Sequence, residues 1–139
     1  MSKTKTFTEA AARTIYYREM IVDLPVFNYD LKVVIASDMR LYGQAFYKDA
    51  VKDLGIGGMH IYDKDRCRSI IIFNDNPKIK AIAHEVFHVV WRIMEHVGAV
   101  KDNETMAYHQ GYLTEKCVKW VLAQGENWYK KDVDTEFEN

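Results

Sequence analysis

Apolar positions along the chain follow two spacings, and the longest helical run lies between Asn76 and Gly98. There Ile79, Ile82, Ala83, Val86, Phe87, Val89, Val90, Ile93, Met94 and Val97 cover most of the circumference at about 3.6 residues per turn, which predicts a largely buried helix. Asn76 suits an N-cap, Pro77 the first helical position, and Gly98 the stop, with His96 in the last turn favouring the negative end of the dipole. A second helical pattern runs from Asn103 to Leu122 after Asp102 as N-cap, with Met106, Ala107, Leu113, Cys117, Val118, Val121 and Leu122 on its inward face. Near the start, Thr6-Phe7-Thr8-Glu9 fits a capping box, and Ala10, Ala11, Ala12, Ile15 and Tyr16 follow it. The expectation is a helix from Phe7 to Met20, broken by Asp23-Leu24-Pro25. Tyr47, Val51 and Leu54, with Phe46 and Ala50, predict a further helix over Met39–Leu54, although Gly43 weakens it.

The other spacing belongs to strands. Leu31 to Ala36 is rich in β-branched residues and reads as a buried strand. Gly55-Ile56-Gly57-Gly58 reads as a turn. Met59–Tyr62 and Arg68–Phe73 then form a hairpin through Asp63-Lys64-Asp65-Arg66. The mixture predicts an α+β fold with a small antiparallel sheet packed on the Asn76–Gly98 helix and the helix after it. The whole chain, 1–139, reads as one domain with loose ends near 1–6 and 125–139, Trp128 and Tyr129 packing back on the body.

Composition narrows the partners. The formal net charge is −1 and no block of like charges occurs, so neither a nucleic-acid nor an anionic-membrane partner is expected. No apolar leader or membrane span is visible, and Cys67 and Cys117 are isolated. A cytoplasmic protein with reduced thiols is therefore the expectation.

The chemistry sits on the long helix. His84-Glu85-Val86-Phe87-His88 is an HExxH match. Residues four apart stack on one helix face, so His84 and His88 can offer two imidazoles to one metal ion. Glu85, about 100° round the helix, can meet a water at that ion. With Arg92, Glu95 and His96 these residues form a polar stripe roughly 120° wide, whose burial requires partners; Arg92, Glu95 and Asp102 are candidates to orient the imidazoles. A catalytic zinc ion usually takes three protein ligands. Glu95 and His96 lie roughly 10–12 Å along the helix from His88 and cannot serve. Glu104, His109, Glu115 and His60 remain, with His60 expected to be an exposed strand residue. Glu104, Tyr108, Gly111, Tyr112 and Glu115 share one face of the second helix. A strict antiparallel return would bring Glu115 level with the pair, and a steep crossing would bring Glu104; spacing alone does not choose.

The motif together with Glu104-Thr105-Met106-Ala107-Tyr108-His109-Gln110-Gly111-Tyr112 resembles the gluzincin metallopeptidases. Within that group it is similar to small metallopeptidases encoded by bacteriophages, the likeness covering about Gly57 to Leu122. The resemblance implies a zincin-like fold and a Zn2+ site of His84, His88 and Glu104. It implies hydrolysis of a peptide or protein substrate with Glu85 as general base. Tyr108 ranks first, ahead of Tyr112 and His109, as the donor to the oxyanion. The competing expectation is a catalytically inactive zincin-like structural or interaction protein.

Overall fold

In the computed structural model, residues 3–9, 13–47, 57–98 and 101–130 are described. The strands are β1 (Lys5–Thr8), β2 (Thr14–Leu24), β3 (Tyr29–Ala36), β4 (Gly58–Asp63) and β5 (Arg68–Asn74). The helices are α1 (Met39–Tyr47), α2 (Ile79–Val97) and α3 (Asn103–Gln124), and a 3₁₀ turn, Pro25–Phe27, links β2 to β3. The strands form one sheet in the order β1-β2-β3-β5-β4. β3 and β5 are parallel and the other pairs antiparallel. The fold is α+β, as expected, but the sheet is five-stranded and mixed rather than the small antiparallel one predicted, because β3 and β5 run parallel at its centre.

The central strands explain the layering. Leu31, Val33 and Ile35 of β3 and Ile71 and Phe73 of β5 join the core beneath α2 and α3, while Val34 and Ala36 of β3 and Ile70 and Ile72 of β5 face α1. Strands buried on both faces read as continuous apolar runs rather than alternating ones. That is the pattern of Leu31–Ala36 and Ser69–Phe73. α2 and α3 pack side by side on one face of the sheet, and the chain's second core lies on the other.

The described residues of the predicted Phe7–Met20 helix do not form one, residues 10–12 lying outside the described residues. Lys5–Thr8 and Thr14–Leu24 pair as antiparallel strands, with Thr8 opposite Thr14 and Lys5 opposite Tyr17. The run Ile15-Tyr16-Tyr17 is β-branched and aromatic. Its side chains alternate, Tyr16, Met20, Val22 and Leu24 packing towards α2 and α3 and Tyr17 towards α1. Pairing with β3 therefore outweighs the local capping signal. Residues 48–54 of the predicted Met39–Leu54 helix, and Gly55 and Ile56 of the predicted turn, lie outside the described residues. α2 begins two residues later than predicted, after Lys78, which caps it without a side-chain bond. Gly98 ends it in the left-handed conformation, as expected. α2 is less buried than predicted: Ile79, Phe87, Trp91 and Val97 are exposed, because the sheet and α3 cover only part of its surface. Asp102 caps α3, accepting from Thr105 N at 2.8 Å. Of its predicted inward face, Leu113 and Cys117 are buried, whereas Ala107 and Leu122 are exposed.

The segment after Gly125 is anchored rather than loose up to Lys130. Trp128 is buried, donates Nε1–H to Asp75 O at 3.0 Å and lies beneath the Arg18 guanidinium; Tyr129 stacks on Tyr16. Residues 131–139 lie outside the described residues. Both cysteines are free thiols, and no described helix is long and apolar enough to cross a membrane.

Glu19 ties the outer strands together, facing Lys5 Nζ at 2.5 Å and Lys32 Nζ at 3.0 Å. Burial pushes its carboxyl pKa up, but the hydrogen bonds and charges of Lys5 and Lys32 outweigh that and hold it below the usual range. The depressed value means that the contribution is present above the unfolded pKa of about 4.3 and is lost as pH falls through the folded value. Solvent screening limits it to about 0.5–1 kcal/mol. Glu19→Gln should lower stability in urea at pH 7 by that amount and leave the two proteins nearly equal at pH 2–3. An unchanged gap across the range would contradict the assignment.

Candidate metal site

The long helix turns three donors towards one point. The His84 and His88 rings are exposed, 5.1 Å apart between centroids and nearly perpendicular at 78°. Glu85, one residue round the helix, is only 5% exposed. One nitrogen from each histidine and one Glu85 oxygen lie within 4.8 Å of one another, so this group could hold a metal ion. Tetrahedral ligands at about 2.0–2.1 Å from an ion stand about 3.4 Å apart. The His84 and His88 nitrogens therefore need only modest side-chain rotation to share one ion, which leaves the Glu85 carboxylate beside it, and imidazole donors suit a divalent ion.

Glu85 owes its place to a residue with no side chain. Gly58 opens β4 directly opposite, and a Cβ there would lie 2.9 Å from Glu85 Cγ and 3.0 Å from two carbons of the Phe73 ring. Burial pushes the Glu85 carboxyl pKa above its ordinary value, against the opposing pull of His84 and His88. No described side-chain polar atom is buried without a partner, so the carboxylate opens onto space beside it. That space is a cleft of about 570 Å³, bounded by Gly58, Asn74, Asn76, Lys78, Ala81, His84 and Glu85.

The same face of β4 continues the match. Gly58, His60 and Tyr62 stand two residues apart and meet Glu85, His88 and Arg92 in turn. Strand steps of about 6.6 Å thus keep pace with helix steps of about 4.5–6 Å. His60 is not the exposed residue predicted. It is partly buried, its Nε2 lies 3.0 Å from Ser69 Oγ, and its ring is 5.8 Å from that of His88 at 19°. Burial, helped by the positive surroundings of His88 and Arg92, pushes its pKa down to about 4, so the ring is neutral near pH 7. Its place on the strand was legible in the sequence; its packing against His88 required the register of β4 beneath α2.

The remaining predicted site residues stand apart from this group. His109 packs edge-on against Phe27, and Glu115 pairs with Lys119 at 2.8 Å. Tyr108 is 72% exposed, its ring against His109. Arg92 lies over Tyr62 and Asp102 caps α3, so neither orients the imidazoles. Glu104 is exposed in the first turn of α3 and is not among the clustered donors. The start of α3 nevertheless runs beside the right part of α2. Asn103 and Met106 line a hollow with Phe87 and Val90, and Gln110 Nε2 donates to Ala83 O at 3.0 Å. Of the two glutamates, Glu104 is therefore on the stretch level with His88.

Comparisons with family models, curated proteins and solved structures returned no match for this chain.

The Gly58 contact makes a stability prediction. Gly58→Ala should destabilise the protein by about 1–3 kcal/mol, the usual cost of overpacking. Part of that loss should be recovered when Glu85→Ala is added, because one clash is with Glu85 Cγ. Strictly additive urea-unfolding energies in the double-mutant cycle would show that the two residues do not press on one another.

Proposed function

We propose that this chain is a zinc-dependent peptidase with a zincin-like site on α2. The reading is carried by one observation: two exposed imidazoles one helical turn apart, with a buried, uncapped carboxylate among their donor atoms at the edge of a cleft. His84 and His88 would hold the ion. Glu104 is the third ligand in this reading, on the strength of the likeness to gluzincins and of the level at which α3 starts. Tyr108 points to solvent and is given no role.

When bound, zinc supplies Lewis acidity, lowering the pKa of a coordinated water and polarising a carbonyl. Glu85 takes the proton from the attacking water and delivers it to the leaving amine. The fixed seat against Gly58 holds its carboxylate at the cleft. β4 is the edge strand of the sheet, and its outer side pairs with no described strand. An extended peptide can add there by backbone hydrogen bonds, which would carry its scissile bond alongside His84 and His88.

The second reading, an inactive zincin-like interaction protein, draws support from Glu104 standing outside the donor group and from the exposed Phe87, Trp91 and Tyr112 on the same helices. Glu85→Gln separates the two. The variant should retain zinc with affinity within about threefold, since the two imidazoles remain, and should lose about 10²–10⁴-fold in hydrolysis of unfolded protein substrates followed by mass spectrometry. Equal cleavage by wild type and variant would remove Glu85 from the mechanism, and zinc binding with no cleavage by the wild type would favour the interaction protein.

A further inference from the structure

Building on the peptidase reading, we propose that His60 is a positioning residue of the metal site, fixing the plane of the His88 ring by packing rather than by a hydrogen bond. Metal-binding histidines ordinarily have their second ring nitrogen held by an outer partner, which sets both tautomer and orientation. Among the described residues none hydrogen-bonds the imidazole ring of His84 or His88. What His88 has instead is two nearly parallel rings: Phe87 at 6.3 Å and 13°, and His60 at 5.8 Å and 19°.

Phe87 is itself exposed, so it is a soft support. His60 is a firm one. Its Nε2 is hydrogen-bonded to Ser69 Oγ, which is fully buried and also shares a hydrogen bond with the Tyr29 hydroxyl. Tyr29 is buried in turn, its ring 5.1 Å from that of His96 at the far end of α2. The chain Tyr29–Ser69–His60 thus runs from the centre of the sheet to the face of His88. Ser69 and Glu85, the buried polar or charged side chains of the described residues apart from the tyrosines, both lie at this seam. Ser69 is followed in its strand by four apolar residues, Ile70 to Phe73, and its hydroxyl is placed between the Tyr29 hydroxyl and the His60 ring. His60 stays outside the donor group formed by His84, Glu85 and His88, which is the arrangement of a support rather than a ligand.

The test is zinc affinity of the full chain, measured by competition with a chromophoric chelator, on variants shown by circular dichroism to be folded without metal. His60→Ala should bind zinc about tenfold more weakly, the lower end of the usual loss for an outer support. His60→Phe restores a ring face and should return to within about threefold of wild type, whereas an outer-partner role through nitrogen would leave the full loss. Ser69 and Tyr29 still satisfy one another in that variant, so it reports even if His60→Ala fails to fold. Ser69→Ala, which frees the ring, should fall between the two. Equal weakening in His60→Ala and His60→Phe would make His60 a ligand or a polar partner and overturn the proposal, as would affinities that ignore His60 altogether. Failure of the wild type to bind zinc would instead sink the peptidase reading, so the two failures are distinguishable.

Discussion

The structure depends on how closely α2 can approach β4. A helix packed on a sheet normally keeps a layer of side chains between the two backbones. Here that layer is missing at Gly58, and the vacancy is filled by Glu85 from above and by the edge of Phe73 from beside it. The consequence is a carboxylate that is nine-tenths buried yet faces a cleft, with its pKa raised by the same burial. Without that close approach Glu85 would have to swing to solvent, and the three donors on α2 would no longer share one point.

The sheet that sets this approach is itself held from both sides. β3 and β5 are buried on both faces, so their register is fixed by two cores at once, and β4 is carried in register on the edge of β5. A slip of one residue would turn Gly58, His60 and Tyr62 away from α2 and bring Met59 and Ile61 against it. Met59 and Ile61 are needed in the other core, beside Ile70 and Ile72. The apolar pattern of β4 therefore specifies which of its residues meet the donors.

Much of this was legible in the residues. The helix ending at Gly98, the Asp102 cap, the β4–β5 hairpin and the strand Leu31–Ala36 all follow from local pattern, because in each the capping, turn or branching preference agrees with the burial finally adopted. The Phe7–Met20 stretch carries a split signal. Thr6-Phe7-Thr8-Glu9 imitates a helix start, while Ile15, Tyr16 and Tyr17 prefer a strand, and only the long pairing of β2 with β3 decides between them. Within the site, His84, Glu85 and His88 could be named because they lie on one helix, where spacing dictates geometry. Gly58 and His60 could not, because their roles depend on which strand lies beneath that helix. The third ligand is harder still. Glu104, proposed for that place, lies on a different helix, and sequence spacing carries no information about how the two helices are set against one another.

In the proposed site His84 and His88 share one cation. That sharing is tested most directly by X-ray absorption at the zinc edge on the zinc-loaded full chain, compared with the double variant His84→Ala, His88→Ala. One zinc per chain is expected, with light-atom ligands at about 2.0–2.1 Å and the outer-shell scattering of imidazole rings, and that signature should be lost in the double variant. A zinc spectrum without imidazole scattering, or one that the double variant leaves unchanged, would contradict it.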